Sequence, residues 1–286
     1  MVREIAEEIA KAAQQILGDQ FECTVNEKRG NNGIVEMQIT VKKAEIRIAP
    51  SIYIEKMYED MDGEIDDVAH KVAEIAEQQF EHGMPEVDTE SFIDPDFIKK
   101  NAVVTLVNAE RNRVDDIVSR DYMDLKALVR VHCMEAGSFL VKNELLERTG
   151  ITEDELFEAA MQNTRADFES IGMADYLQQM GVGGIDVSGD SNIMTIVSTK
   201  NRAWGGSCLL YADLFAEIAD KNGSDLYILP SSVHEVIAVP ASSDADPEML
   251  LNMVKEVNAT QLAPDEFLAD SVYFYSREDG QIRKVA

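Results

Sequence analysis

Apolar and polar positions along this 286-residue chain change period several times, and each period predicts an element. Near the start, Val2, Ile5, Ala6, Ile9, Ala10, Ala13 and Leu17 recur every three or four residues, which predicts an amphipathic helix laid on a sheet. Three strand-like runs follow: FECTVNE, IVEMQITV and IRIAPSIYIE. Between the first two, NEKRGNNG supplies Asn31, Asn32 and Gly33, which tolerate the left-handed backbone of a tight turn. The helical period returns from about Asp62 to His82 through Ile65, Val68, Ala69, Val72, Ile75, Ala76 and Phe80. Residues 1–85 therefore read as an α-β-β-β-α unit.

The stretch HGMPEVDTESFIDPD interrupts the pattern with two prolines and many acids, so residues 86–99 are expected to be a linker. Residues 100–286 read as a larger domain. NAVVTLVN is strand-like, a polar segment follows, and LKALVRVHCM and SFLVK are again strand-like. Helices are expected near 143–149, 153–169 and 173–180, and glycine-rich GVGGIDVSGDSN reads as a loop or hairpin before strand IMTIVSTK. Then come a helix over 207–222, strands DLYILP and HEVIAVP, a helix over 247–261, strand SVYFYS, and a REDG turn into IRKV. Pro230 and Pro240 cannot donate ladder hydrogen bonds and should mark where pairing stops. No repeat recurs at a fixed period. Strands and helices mix without regular β-α alternation, so the expected class is α+β, with a mostly antiparallel sheet in the second domain.

Charge narrows the partners. With 26 Lys and Arg against 54 Asp and Glu, the formal net charge is −28, and such a surface repels phosphate backbones. Direct nucleic-acid binding is not expected, although an acidic mimic of nucleic acid occupying a basic partner remains an alternative. No apolar run approaches the roughly 18 residues of a membrane span, and the acidic, amphipathic N-terminus does not suit a signal or transit peptide. Cys23, Cys133 and Cys208 are odd in number, widely spaced and without CxxC pairing, so a reducing, cytoplasmic setting is expected.

The stretch WGGSCLLY, residues 204–211, carries the sharpest chemical question. Papain-like enzymes place their nucleophile in a Gly-Ser-Cys turn at a helix start, where the dipole lowers the thiol pKa. GGSC imitates that turn, and His234 is the only base the pattern offers to Cys208. On a helical projection, however, Cys208 shares its face with Ala212, Phe215 and Ala219, where a small packed residue fits. His234 alternates with Val236 and Ala238, as a structural histidine at a strand entry would. Ser231 and Ser232 lack the glycines of a hydrolase elbow and read as turn residues. With Trp204 and His234 they are the candidate binding residues.

Cofactor and metal chemistry finds little support. In YEDMDGEIDD, placing Gly63 at the sixth position of a calcium loop puts Tyr58 first and Ala69 twelfth, where carboxylates are required. His70 and His82 lie twelve apart, and neighbouring His132 and Cys133 point to opposite faces of a strand. GVGGIDVSG lacks the Lys and Ser/Thr of a phosphate loop. No cofactor and no metal are expected.

Longer stretches carry a resemblance: IAPSIYIEKMYEDMDGEI, NAERNRVDDIVSRDYMDLKALVRV, VKNELLERTGITEDELFEAAMQNT, GSDLYILPSSVHEVIAVP and VNATQLAPDEFLADSVYFYSREDGQIRKV. Together they resemble a family of uncharacterised proteins of anaerobic Gram-positive bacteria, often found near mobile elements, and more distantly the YtpQ-like proteins. The resemblance implies no established activity and brings no catalytic residue. The chain thus reads as a two-part intracellular α+β protein that acts by binding a protein partner, with a Cys208/His234 hydrolase as the alternative. No pattern speaks to its oligomeric state.

Overall fold

The computed structural model describes residues 3–44, 46, 48–83, 90–133, 137–179, 181, 194–241 and 246–286. The fold is α+β, and the chain divides into two compact units, Met1–Asp88 and Thr89–Ala286.

In the first unit, helix α1 (Arg3–Leu17) buries Ala6, Ile9, Ala10, Ala13 and Leu17, the stripe its period predicts. Strands β1 (Phe21–Arg29) and β2 (Val35–Lys43) pair antiparallel along their whole lengths around a turn where Asn32 and Gly33 are left-handed. The third strand is shorter than its apolar run suggests. Pro50 has no N–H to give, so β3 is only Ser51–Tyr53, and Glu55 already starts helix α2 (Glu55–Asp60). Helix α3 (Ile65–Glu81) returns over the sheet and buries Val68, Ala69, Val72, Ala73 and Ala76. The acidic run around Asp62 is the turn between α2 and α3.

The second unit begins before the expected linker ends. Asp94 caps helix α4 (Pro95–Asn101) by accepting the Asp96 N–H, and Ile98 is fully buried, so residues 94–99 are folded. Strands β4 (Ala102–Asn108), β5 (Ser119–Tyr122), β6 (Leu125–His132) and β7 (Ser138–Leu140) form one antiparallel sheet, with β6 pairing the other three. Strand β5, in the segment expected to be merely polar, carries exposed Arg120 and Asp121, so no apolar alternation announces it. Helices α5 (Asn143–Thr149) and α6 (Glu153–Arg165) follow, the latter opened by a reciprocal Thr152/Glu155 capping box. Helix α6 stops short of residue 169 because Phe168 to Gly172 form strand β8, pairing antiparallel with β9 (Thr195–Thr199). Helix α7 (Met173–Gln179) lies between them in sequence; all but Gly181 of the glycine-rich stretch 181–192 lies outside the described residues.

Residues 207–222 are not one helix. Gly205–Leu210 form a 3-10 segment, Tyr211 breaks the helical backbone, and helix α8 spans Ala212–Asn222. Strands β10 (Leu226–Pro230) and β11 (Glu235–Pro240), helix α9 (Pro247–Thr260), and strands β12 (Tyr273–Ser276) and β13 (Gln281–Lys284) complete the unit. The second sheet runs β13-β12-β10-β11-β9-β8, antiparallel throughout. One continuous core joins β4 and β6 to α6, α8 and one face of this sheet, through Val104, Val129, Leu156, Phe215, Val236 and Tyr273. The other face packs Leu229 and Val239 against Leu250 and Val254 of α9.

One carboxylate ties the two sheets together. Asp124, in the two-residue turn between β5 and β6, accepts from Ser271 Oγ at 2.6 Å, Tyr273 Oη at 2.8 Å and Lys284 Nζ at 3.0 Å. Burial pushes its pKa up, but these three hydrogen bonds and the Lys284 charge outweigh that, so it lies below the usual carboxylate value. The ion contributes fully above the unfolded carboxyl's pKa near 4, and the contribution fades as pH falls through the lowered folded value. Asp124→Asn should therefore cost about 1.5–3 kcal/mol in urea unfolding at neutral pH. The gap to the wild type should close as pH falls below about 4; a gap independent of pH would show that the ionised state is not what matters.

Candidate functional site

The site is assembled where the 3-10 segment meets the turn between β10 and β11. Gly206 N–H donates to Val233 O at 3.0 Å, and Trp204 N–H donates to His234 Nδ1 at 3.3 Å. The approach is so close that side chains are excluded. A Cβ on Gly205 would overlap the His234 carbonyl oxygen and lie 2.6 Å from Ser198 Oγ; one on Gly206 would lie 2.8 Å from Leu268 Cδ2 and 3.1 Å from Ser232 O. The double glycine of WGGSC thus serves backbone-to-backbone packing. Ser198 Oγ donates to the His234 carbonyl at 2.7 Å, and Ser232 Oγ accepts the His234 N–H at 3.0 Å. His234 is held at three points, and because its Nδ1 accepts a hydrogen bond, the neutral ring carries its proton on Nε2. That nitrogen lies 3.8 Å from Glu266 Oε1.

The candidate residues separate into two groups. Trp204 and His234 come together, with ring centroids 6.0 Å apart, and Ser232 is buried beneath them as a turn residue, while Ser231 is half-buried beside it. Cys208 is not among the described residues that meet His234. It is fully buried in the core with Leu209, Phe215 and Ala219, and burial pushes its thiol far above the ordinary value against a smaller pull from the N–H groups of Cys208 and Leu209. This is the environment of a packed thiol, since a nucleophile needs a lowered pKa and access. Cys208 lies in a 3-10 turn rather than on a helix start, and no long helix dipole acts on it. Among the described residues, no group of three His, Cys, Asp or Glu side chains is arranged to hold a metal ion.

Several participants carry no signal in a motif search. Arg130 of β6 stacks on Trp204, its guanidinium carbon 4.4 Å from the ring centroid, and Arg202 stacks likewise on Tyr176 at 4.5 Å. Glu235 lies near Arg202 and His234, and its pKa is raised, by burial first and by Glu266 more weakly. The loop itself is strained: Arg202 at φ 55° and Trp204 at φ 60° are both left-handed without being glycine. A cleft of about 40 Å³ opens beside Trp204, lined by Val103, Thr105, His132, Thr164, Asn201 and Ser207 among others. It has room for a few waters or one small polar head group, not for a substrate-sized molecule. The alternation of Lys126, Arg130 and His132 along an otherwise apolar strand was the available sequence clue to this face.

Two outcomes check this geometry. Gly205→Ala should destabilise the second unit by about 3 kcal/mol or more, because the new methyl meets backbone that cannot move aside; an unfolding midpoint within error of the wild type would contradict the close approach. In peptide mapping after iodoacetamide treatment near neutral pH, Cys208 should label only once the protein is unfolded. Rapid labelling in the native state would reinstate a reactive thiol.

No helix among the described residues is long and apolar enough to cross a membrane. Comparison with curated proteins and with solved structures returns no match. The model of a family of unknown function, DUF5688, matches residues 2–277, and the chain belongs to that family.

Proposed function

We propose that this chain is a non-catalytic binding protein that takes a protein partner on the Trp204 surface of its second unit. One observation carries the reading: the lone tryptophan, partly exposed, is fixed in a strained left-handed conformation by the His234 ring and the Arg130 stack. Strain of this kind persists only where the surroundings over-determine it, and it gathers at functional positions. A rigid aromatic anchor beside arginine is the composition of interface hot spots, and prior immobilisation lowers the entropy lost on binding. Buried Cys208 and the small cleft favour binding over hydrolysis. The net charge of −28 disfavours nucleic acid as the direct ligand.

A cytoplasmic setting belongs to the same proposal and is supported by three free cysteines. The resemblance to proteins of anaerobic Gram-positive bacteria and their mobile elements, and the fainter one to YtpQ-like proteins, is compatible with an intracellular adaptor.

Affinity capture from the native host, with quantitative mass spectrometry, tests this. Wild-type protein should retain a partner in stoichiometric amount, and Trp204→Ala should reduce it at least about tenfold with an unchanged circular dichroism spectrum. Equal capture by both proteins would remove Trp204 from the interface.

A further inference from the structure

Trp204 is held through its main chain by a group that can change its charge. Its N–H donates to His234 Nδ1 at 3.3 Å, and a ring nitrogen accepts only while it carries no proton. An imidazolium is a donor at both nitrogens, so protonation sets two N–H groups against each other and breaks this bond. The rest of the segment is fastened independently of the ring. Ala203 N–H donates to Thr199 Oγ1 at 3.0 Å, Ser207 Oγ donates to the Trp204 carbonyl at 2.7 Å, and Gly206 N–H donates to Val233 O at 3.0 Å. Loss of the histidine bond is therefore felt at the Ala203–Trp204 peptide and at the indole. That residue has a φ of 60°, a strained conformation that its surroundings must hold.

Charged groups reach the ring from several elements. Glu266 Oε1, in the segment between α9 and β12, lies 3.8 Å from Nε2, and Glu235 follows His234 in the chain. Both carboxylates favour the imidazolium. Arg202, which acts on the same Glu235 from the loop before Trp204, opposes it, as does Arg130 of β6, stacked on the indole. Ser198 of β9 and Ser232 bond the His234 main chain and are neutral. The two ring nitrogens thus answer opposite partners. A charged ring strengthens the attraction between Nε2 and Glu266 and ends the hold of Nδ1 on Trp204.

We propose that His234 is a proton-sensitive clamp on Trp204: the neutral ring holds the tryptophan main chain, and the imidazolium, drawn to Glu266, releases it. The held form carries one proton fewer. It is favoured as pH rises and lost as pH falls through the range in which imidazoles titrate, about 5 to 8. The clamp stands on its own geometry; its consequence, a binding surface weakened by acid, rests on the binding role proposed above.

The chain has one tryptophan, so its emission, excited apart from tyrosine, reports this loop alone. Acrylamide quenching of that emission is measured from about pH 8 down to about pH 5. The quenching constant should rise reversibly on acidification, as the ratio of held to released forms falls by up to about tenfold, the weight of one hydrogen bond. His234→Asn, whose amide oxygen can accept from Trp204 at every pH, should remove the rise. His132→Asn, which alters the histidine lining the neighbouring cleft, should leave it. Glu266→Gln removes a carboxylate that favours the imidazolium and should move the rise to lower pH; it decides the point should His234→Asn fail to fold. A quenching constant flat across this range, or a rise that survives in His234→Asn, overturns the clamp. So does a change in emission intensity without a change in quenching constant, since the charged ring would then dim the indole without letting it go. A flat titration together with loss of partner capture in Trp204→Ala removes the clamp and leaves the binding role standing. The expected titration with capture undiminished in Trp204→Ala removes the binding role and leaves the clamp.

Discussion

The second unit depends on one close approach, that of the Gly205–Gly206 backbone to the turn at Ser232–His234. Side chains are excluded there by contact distances, so the chain can pass only as glycine, and it passes as a tight 3-10 segment. That choice fixes what lies on either side. Downstream, Cys208 and Leu209 turn into the core and Tyr211 ends the segment so that α8 can start at a new angle. Upstream, Trp204 takes a left-handed conformation at the margin of the core, where Arg130 and His234 meet it. In a stretch that imitates a catalytic elbow in its spelling, the double glycine packs backbone on backbone, the thiol is buried, and the tryptophan stays partly exposed.

Much of the fold was legible because burial imposes a period. The stripes of α1 and α3, the antiparallel hairpin of β1 and β2, and the apolar strands β4, β6, β10 and β11 all repeat the hydrophobic pattern of their sequences. What escaped lacks such a period. Strand β5 exists because it pairs with β6, with exposed Arg120 and Asp121 in its middle, and β8 exists because it pairs with β9. Helix α4 hid behind two prolines and a run of acids, although an Asp-Pro pair is itself a helix start. The site was half legible. Trp204 and His234 could be named from their sequence, but Arg130 and Thr105 become a pair only through the β4–β6 register, which no local pattern encodes.

Among the described residues of the second unit, many polar groups find partners across long distances in sequence. Tyr122 Oη donates to Leu209 O, Tyr211 Oη to Met161 O, and the Asn163 amide to the carbonyls of Lys99, Lys100 and Ala102. Thr164 Oγ1 takes the N–H of edge-strand residue Val104 and donates to Ala160 O. Burial pushes Tyr122 up to about 12, so it remains a donor throughout the physiological range. These bonds fasten loops and strand edges to the core at positions where a missing partner would cost the desolvation of a whole group.

Against that standard the contrast between Asp124 and Arg130 is informative. Both are partly buried charges of the same sheet, Asp124 in the β5–β6 turn and Arg130 on the central strand β6. Asp124 gathers three donors, Tyr273 and Lys284 from the other sheet and Ser271 just before it, and is held ionised by them. Arg130 instead has an aromatic face, which offsets part of the desolvation of a cation, while its buried Nε has no hydrogen-bond partner. Arg130 Nε and Thr105 Oγ1, diagonal to each other across the β4–β6 ladder, are thus the exceptions among the described buried side-chain polar atoms of the second unit.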